Sequence, residues 1–140
     1  MECTINWVPA SGMAFMAETG SGHVLNIDGA PDGDGRNLAP RPMETVLAGT
    51  GACSAYDVVF ILKRGRHDVR GCQVKVTSER APTDPKVFTK IHLHFTITGR
   101  GVPEAAILRA IELSHEKYCS ATIMLARTAE ITTSHELIEA

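Results

Sequence analysis

The sequence predicts an α+β domain in which antiparallel sheets pack around two buried central helices. Three observations carry that expectation. A nearly uncharged helical run spans residues 42–63, short strands precede it and strands of period two follow it, and a second helical pattern opens at Pro103. The 140 residues suit one domain over positions 1–140. With 44% hydrophobic and 21% charged residues, the chain has the composition of an ordinary globule that needs no disulfide staples.

The elements follow in order. Residues 13–28 read as two short strands around the turn Gly20-Ser21-Gly22, with Ala14, Phe15, Met16 and Ala17 before it and Val24, Leu25 and Ile27 after it. Residues 29–37, rich in glycine and aspartate, suit a mobile surface loop. Pro42 fits the first turn of a helix, where its missing N–H costs nothing. From Val46 to Leu62 the only charge is Asp57, so a helix about 30 Å long is expected to run through the middle of the molecule. Gly49 and Gly51 weaken that helix but allow another backbone to approach closely.

Beyond it, Val74 and Val76 alternate with Gln73, Lys75 and Thr77. Ile91, Leu93, Phe95 and Ile97 alternate with Lys90, His92, His94 and Thr96. Residues 82–85 supply the turn between these strands. Behind Pro103, Ile107, Leu108, Ile111, His115 and Tyr118 share one helix face. Cys119 falls at or past that helix end, residues 120–125 suit a further turn or two, and residues 129–133 suit a last short strand.

Charge narrows the function. The net charge of −2 gives no pull toward nucleic acid or an anionic membrane. No uninterrupted apolar stretch approaches the roughly 18 residues of a membrane span, and the first ten residues lack the basic and apolar regions of a signal peptide. Cytoplasmic residence is therefore the expectation. The four cysteines, at positions 3, 53, 72 and 119, have no zinc-type spacing. No cofactor is expected, and their chemistry, if any, is redox or nucleophilic.

Cys53 lies among small residues in Ala48-Gly49-Thr50-Gly51-Ala52-Cys53-Ser54-Ala55. One reading is a small apolar core residue. The other is a nucleophile, because small neighbours leave room for a substrate and a second cysteine, Cys119, follows a later helix.

Residues 41–53, Arg-Pro-Met-Glu-Thr-Val-Leu-Ala-Gly-Thr-Gly-Ala-Cys, resemble the segment of the OsmC/Ohr family in which a proline precedes the helix bearing a peroxidatic cysteine. Residues 116–125, Glu-Lys-Tyr-Cys-Ser-Ala-Thr-Ile-Met-Leu, resemble its second-cysteine segment, and the element order matches from residue 13 to 138. The stretch Gly-Arg-Asn-Leu-Ala-Pro-Arg-Pro-Met-Glu, residues 35–44, is similar to that of an OsmC-like subgroup.

The resemblance implies an intertwined homodimer with active sites at its interface and reduction of organic hydroperoxides. It implies Cys53 as the attacking thiolate, Cys119 as the cysteine that closes a disulfide, and an external dithiol, dihydrolipoyl in the Ohr branch, as reductant.

An ordinary cysteine is only a few per cent thiolate at neutral pH, so such a site needs a cation. The helix dipole fades within about one turn and does not reach Cys53. The family uses an arginine held by a glutamate. Here Met43 occupies the glutamate position and Glu44 follows one residue later, a rotation of roughly 100°. Arg36 and Arg41 are the candidate cations, set against the plainer reading of solvated surface arginines. The departure at Met43 favours a second reading, a redox sensor or small-ligand-binding dimer on the same fold. A purely structural dimer is the third.

Other residues have plainer readings. His92 and His94 form a His-x-His pair with no evident third metal ligand, and suit hydrogen-bonded strand histidines. Asp57, four residues past Cys53, suits a bond to Tyr56, an arginine or a partner subunit. Cys72 is expected in the core, Cys3 in a fraying terminus, and His115 and Tyr118 in the core rather than along the site.

Overall fold

The computed structural model describes all residues, 1–140, and the chain forms two compact units, Met1–Leu47 and Ala48–Ala140. The first unit holds a three-stranded antiparallel sheet in the order β1-β2-β3, with β1 at Cys3–Val8, β2 at Ala14–Thr19 and β3 at Val24–Ile27. Residues 20–22 make the turn between β2 and β3, as the glycines predict. Thr19 accepts the Gly22 N–H at 2.9 Å, and Gly22 takes a φ of +85°, which glycine adopts without a steric penalty. The N-terminal segment is a strand rather than a frayed end, since Cys3 to Val8 pair residue by residue with Thr19 to Ala14.

The segment after β3 also departs from expectation. It is built around the buried carboxylate of Asp28, which accepts N–H groups from Gly29 at 2.7 Å, Leu38 at 3.0 Å and Arg36 at 3.2 Å. Asp28 N–H in turn donates to the Pro40 carbonyl at 3.0 Å, which closes the loop. Gly35 packs so tightly on the Gly29 backbone that no side chain fits there. These donors hold the Asp28 carboxyl below its usual range, led by the bonds from Leu38 and Gly29.

Helix α1 spans Pro42–Arg64. Arg41 precedes it, and the Glu44 carboxylate reaches back to accept the Arg41 N–H at 3.0 Å, the second half of a capping box. The expectation of a helix buried all round is corrected. Only the stripe Thr50, Gly51, Ser54, Val58 and Leu62 is buried, while Val46, Tyr56 and Phe60 are exposed. The expectation about membrane spans is amended too. With a mean hydropathy of 1.5 over its most apolar window, α1 is long and apolar enough to cross a membrane by length and composition, with 28% of that window buried. Glycine, serine and threonine interrupt the apolar run of α1 but lower its mean hydropathy little.

The second unit pairs β4 (Asp68–Arg80) with β5 (Phe88–Arg100) and β5 with β6 (Glu130–Glu139). On β5 the period-two pattern holds, with Ile91, Leu93, Phe95 and Ile97 fully buried and the alternate positions wetter. The β4–β5 pair is antiparallel, but β6 runs parallel to β5 from Lys90↔Glu130 to Gly99↔Glu139, so this sheet is mixed rather than antiparallel. The connection explains it. Helices α2 (Glu104–Leu113) and α3 (Ser120–Leu125) fill the crossover that a parallel pair requires. The α2 stripe Ile107, Ala110, Ile111 turns inward, while Leu108 is exposed.

Phe95 is the largest of the fully buried side chains, at the middle of the central strand. Phe95→Ala is expected to cost about 3–5 kcal/mol, read as a lower denaturant midpoint with an unchanged slope.

Candidate active site

Between α2 and α3 the chain makes an unusual turn. Residues Ser114–Tyr118 form a π-helical segment, and Cys119 leaves it with an extended backbone, φ −72° and ψ 98°, to cap α3. The Cys119 N–H donates to the Ser114 carbonyl five residues back, at 2.7 Å. Such π turns often mark functional positions in helices.

This turn brings Cys119 to Cys53. Both thiols are free; Cys119 is fully buried, whereas Cys53 is half-buried on α1. Burial pushes the Cys119 thiol above the ordinary cysteine range, and hydrogen bonding and charge from Cys53 push it the same way. The hydroxyl and N–H of Thr122 favour the thiolate and oppose the shift. Cys53 is thus close enough to Cys119 to bear on its titration.

Arg36 lies in the first unit, where its N–H is fixed on Asp28, its charge helps to lower the Asp28 carboxyl, and its Nε lies near Gly12. Glu44 is engaged at the α1 N-terminus.

A groove of about 470 Å³ is walled by Tyr56, Phe60 and Ile61 of α1 and by Leu113 and Tyr118, with Asp57 and Arg64 supplying its charges. Cys53, Tyr56, Asp57, Phe60 and Arg64 follow helical spacing along one stripe of α1. Tyr56 and Phe60 stack with ring centroids 6.0 Å apart, and the Arg64 guanidinium sits 5.6 Å from the Phe60 centroid. Tyr118, expected in the core, is half exposed along this groove. His115 is partly buried, and its Nδ1 has no hydrogen-bond partner.

Asp57 does not hold Tyr56 or an arginine. Its Oδ2 accepts the Ser114 hydroxyl at 3.0 Å, and Ser114 Oγ lies 3.1 Å from Ser54 Oγ. Neither serine was singled out from the sequence. A signal for them was present, since Ser114 continues the apolar stripe Ile107, Ala110, Ile111 and Asp57 is the lone charge in its run. A polar residue on each of two apolar faces implies that they meet.

His92 and His94 behave as hydrogen-bonded strand histidines. His92 pairs with Thr132 at 2.7 Å and Ser134 at 2.8 Å, and His94 pairs with Ser134 at 2.7 Å, all across the β5–β6 ladder. Cys72 is half-buried on β4, and burial raises its thiol.

Two outcomes follow for the reduced protein. Cys119 is fully buried and its thiol is raised, so iodoacetamide should modify it more slowly than Cys53 at neutral pH, and its rate should keep rising as the pH climbs above the ordinary thiol range; peptide mass spectrometry would resolve the two rates. Asp28 has a lowered carboxyl, so its contribution is complete above the unfolded carboxylate range and lost as pH falls through the lower folded value. Amide exchange at Arg36 and Leu38 should quicken there, and Asp28→Ala should show that loosening already at pH 7.

A family model described as "OsmC-like protein" matches residues 33–134. The chain is 47% identical over 140 residues, the whole of both sequences, to "Protein YhfA" of Escherichia coli K12. A hypothetical protein from Aquifex aeolicus VF5 shares the structure with a TM-score of 0.84 at 27% identity, over 99% of this chain and 96% of that one. An organic hydroperoxide resistance protein OsmC from Legionella pneumophila shares the fold with a TM-score of 0.71 at 16% identity, over 97% of each chain. With that match across most of its length and a relative alike from end to end, the chain belongs to the OsmC-like family.

Proposed function

We propose that the protein is a thiol-dependent peroxidase that reduces organic hydroperoxides through Cys53 and Cys119. The observation that carries this reading is the placement of Cys119, fully buried where the π segment ends, within electrostatic reach of the half-buried Cys53 of α1. Their environments divide the roles. Cys53, the accessible sulfur, attacks; Cys119, buried and held as the neutral thiol, resolves.

The Cys53 thiolate takes the terminal oxygen of ROOH, the O–O bond breaks, and the alkoxide leaves as ROH after gaining a proton. Cys53 is then a sulfenic acid. Cys119 displaces its hydroxyl, forming the Cys53–Cys119 disulfide and releasing water. An external dithiol, a dihydrolipoyl group by family resemblance, returns both to thiols by exchange and is itself oxidised to a disulfide.

Of the two candidate activating cations, Arg36 and Arg41, Arg36 is the one that Asp28 anchors, while Met43 stands at the position of the family glutamate and Glu44 caps its helix. The exposed apolar face of α1, with Val46, Tyr56 and Phe60, supports a homodimer that covers it in the cytoplasm. The resistance-protein name of the Legionella relative supports the choice of organic hydroperoxides as substrate.

The groove along Tyr56, Phe60 and Tyr118 favours a second reading, a dimer that binds a small apolar ligand or senses redox state without fast turnover. Consumption of cumene hydroperoxide with dihydrolipoamide as donor separates the two. On the peroxidase reading wild type turns over, Cys53→Ser abolishes turnover, and Cys119→Ser stalls after one oxidation. Arg36→Ala loses about tenfold or more in the oxidation step, with Arg36→Lys recovering part of it. No turnover by a folded, reduced wild type would leave the ligand-binding reading.

A further inference from the structure

A chain of two hydroxyls and a carboxylate lies beside the cysteines and takes no part in the peroxide chemistry above. Ser54 directly follows Cys53 and is 3% exposed; Ser114 is fully buried. Because the single O–H of Ser114 is engaged as donor to Asp57 Oδ2, the contact between the serines has Ser54 as donor and Ser114 as acceptor. The main chain of Ser114 has a separate task, accepting the Cys119 N–H at 2.7 Å. One residue is thus bonded to α1 by its side chain and to Cys119 by its backbone. Both α1 residues that grip it follow Cys53, one adjacent and one a turn later.

The π segment makes this grip consequential. A turn with one residue more than an α-turn has poorer intrinsic stability than the α-helix it interrupts, so its geometry depends on what holds its ends. Its first residue is clamped to the helix that carries Cys53, and its far end delivers Cys119.

We infer that Ser54, Ser114 and Asp57 are positioning residues that clamp the start of the π segment to α1 and so fix the reach of Cys119 to Cys53. The inference rests on reading the two cysteines as a redox pair. The clamp acts on disulfide closure, in which Cys53 sulfenic acid and Cys119 thiol give a disulfide and water. That step competes with a second hydroperoxide, which converts the sulfenic acid to sulfinic acid and releases an alcohol. Faster closure protects Cys53.

The test uses the full chain in buffers of oxidised and reduced glutathione, where two protein thiols and one glutathione disulfide give the protein disulfide and two glutathione thiols. The disulfide is quantified by acid quench, alkylation and mass spectrometry, and needs no hydroperoxide. Wild type should close the Cys53–Cys119 bond. Ser114→Ala and Asp57→Ala should each lower the equilibrium constant by about tenfold, the effect of one lost hydrogen bond to a charged group. Asp57→Asn, whose amide oxygen still accepts from Ser114, should stay within about twofold of wild type.

Circular dichroism and a cooperative thermal transition establish folding. If Ser114→Ala does not fold, Asp57→Ala decides, because Asp57 is only half-buried. Unchanged equilibrium constants in folded Asp57→Ala and Ser114→Ala would overturn the clamp and leave these bonds a purely structural role. A wild type that gives only mixed disulfides with glutathione would overturn the pairing itself, and the clamp with it. A wild type that closes the disulfide but consumes no hydroperoxide would remove the peroxidase reading alone, with the variants still deciding the clamp.

Discussion

Two hydroxyls are buried where α1 meets the segment after α2, and buried polar groups without partners cost stability. Ser54 and Ser114 meet each other there, and Ser114 donates a hydrogen bond to the only carboxylate in the apolar part of α1. This single arrangement fixes the rotation of α1 about its axis. With Ser54 inward, Val58 and Leu62 follow one and two turns later into the core, and Gly51 packs against Val76 of β4. The same rotation leaves Cys53 half-buried and sets Tyr56 and Phe60 along an open groove. Core, cysteine and groove are consequences of one helix phase.

The second constraint is the π segment. An α-helix continued from α2 would carry residue 119 round by the ordinary 100° per residue. The wider turn instead hands the Cys119 N–H to the Ser114 carbonyl and releases the chain in an extended conformation. Cys119 becomes the cap of a new helix and stays fully buried. The unpartnered Nδ1 of His115 lies in this same turn, a further sign that local hydrogen bonding has yielded to the placement of the cysteine.

The first unit solves a different problem with one carboxylate. A loop dense in glycine has high conformational entropy and little apolar surface to bury. Asp28 compensates by collecting three backbone donors from across the loop, and Gly35 permits the close backbone approach that this requires. Arg36 is ordered as a by-product, with its guanidinium near the carboxylate that holds its backbone.

The sequence by itself determined what depends on local pattern. The period of two in residues 91–97, the turn at Gly20-Ser21-Gly22, the start of α1 at Pro42 and, through family resemblance, membership of the OsmC-like family were all legible there. Tertiary structure decided what depends on distant partners. The direction of β6 is one case, because a strand's own residues do not reveal whether its neighbour runs with or against it. Asp28 is another, since its three donors come from one to ten residues away and share no motif. The exposure of one α1 face is a third, because a helix with few charges looks alike all round until packing chooses its inward stripe. Local periodicity is a property of neighbours along the chain, whereas hydrogen-bond partners, strand direction and helix phase are set by segments that meet only when the chain has folded.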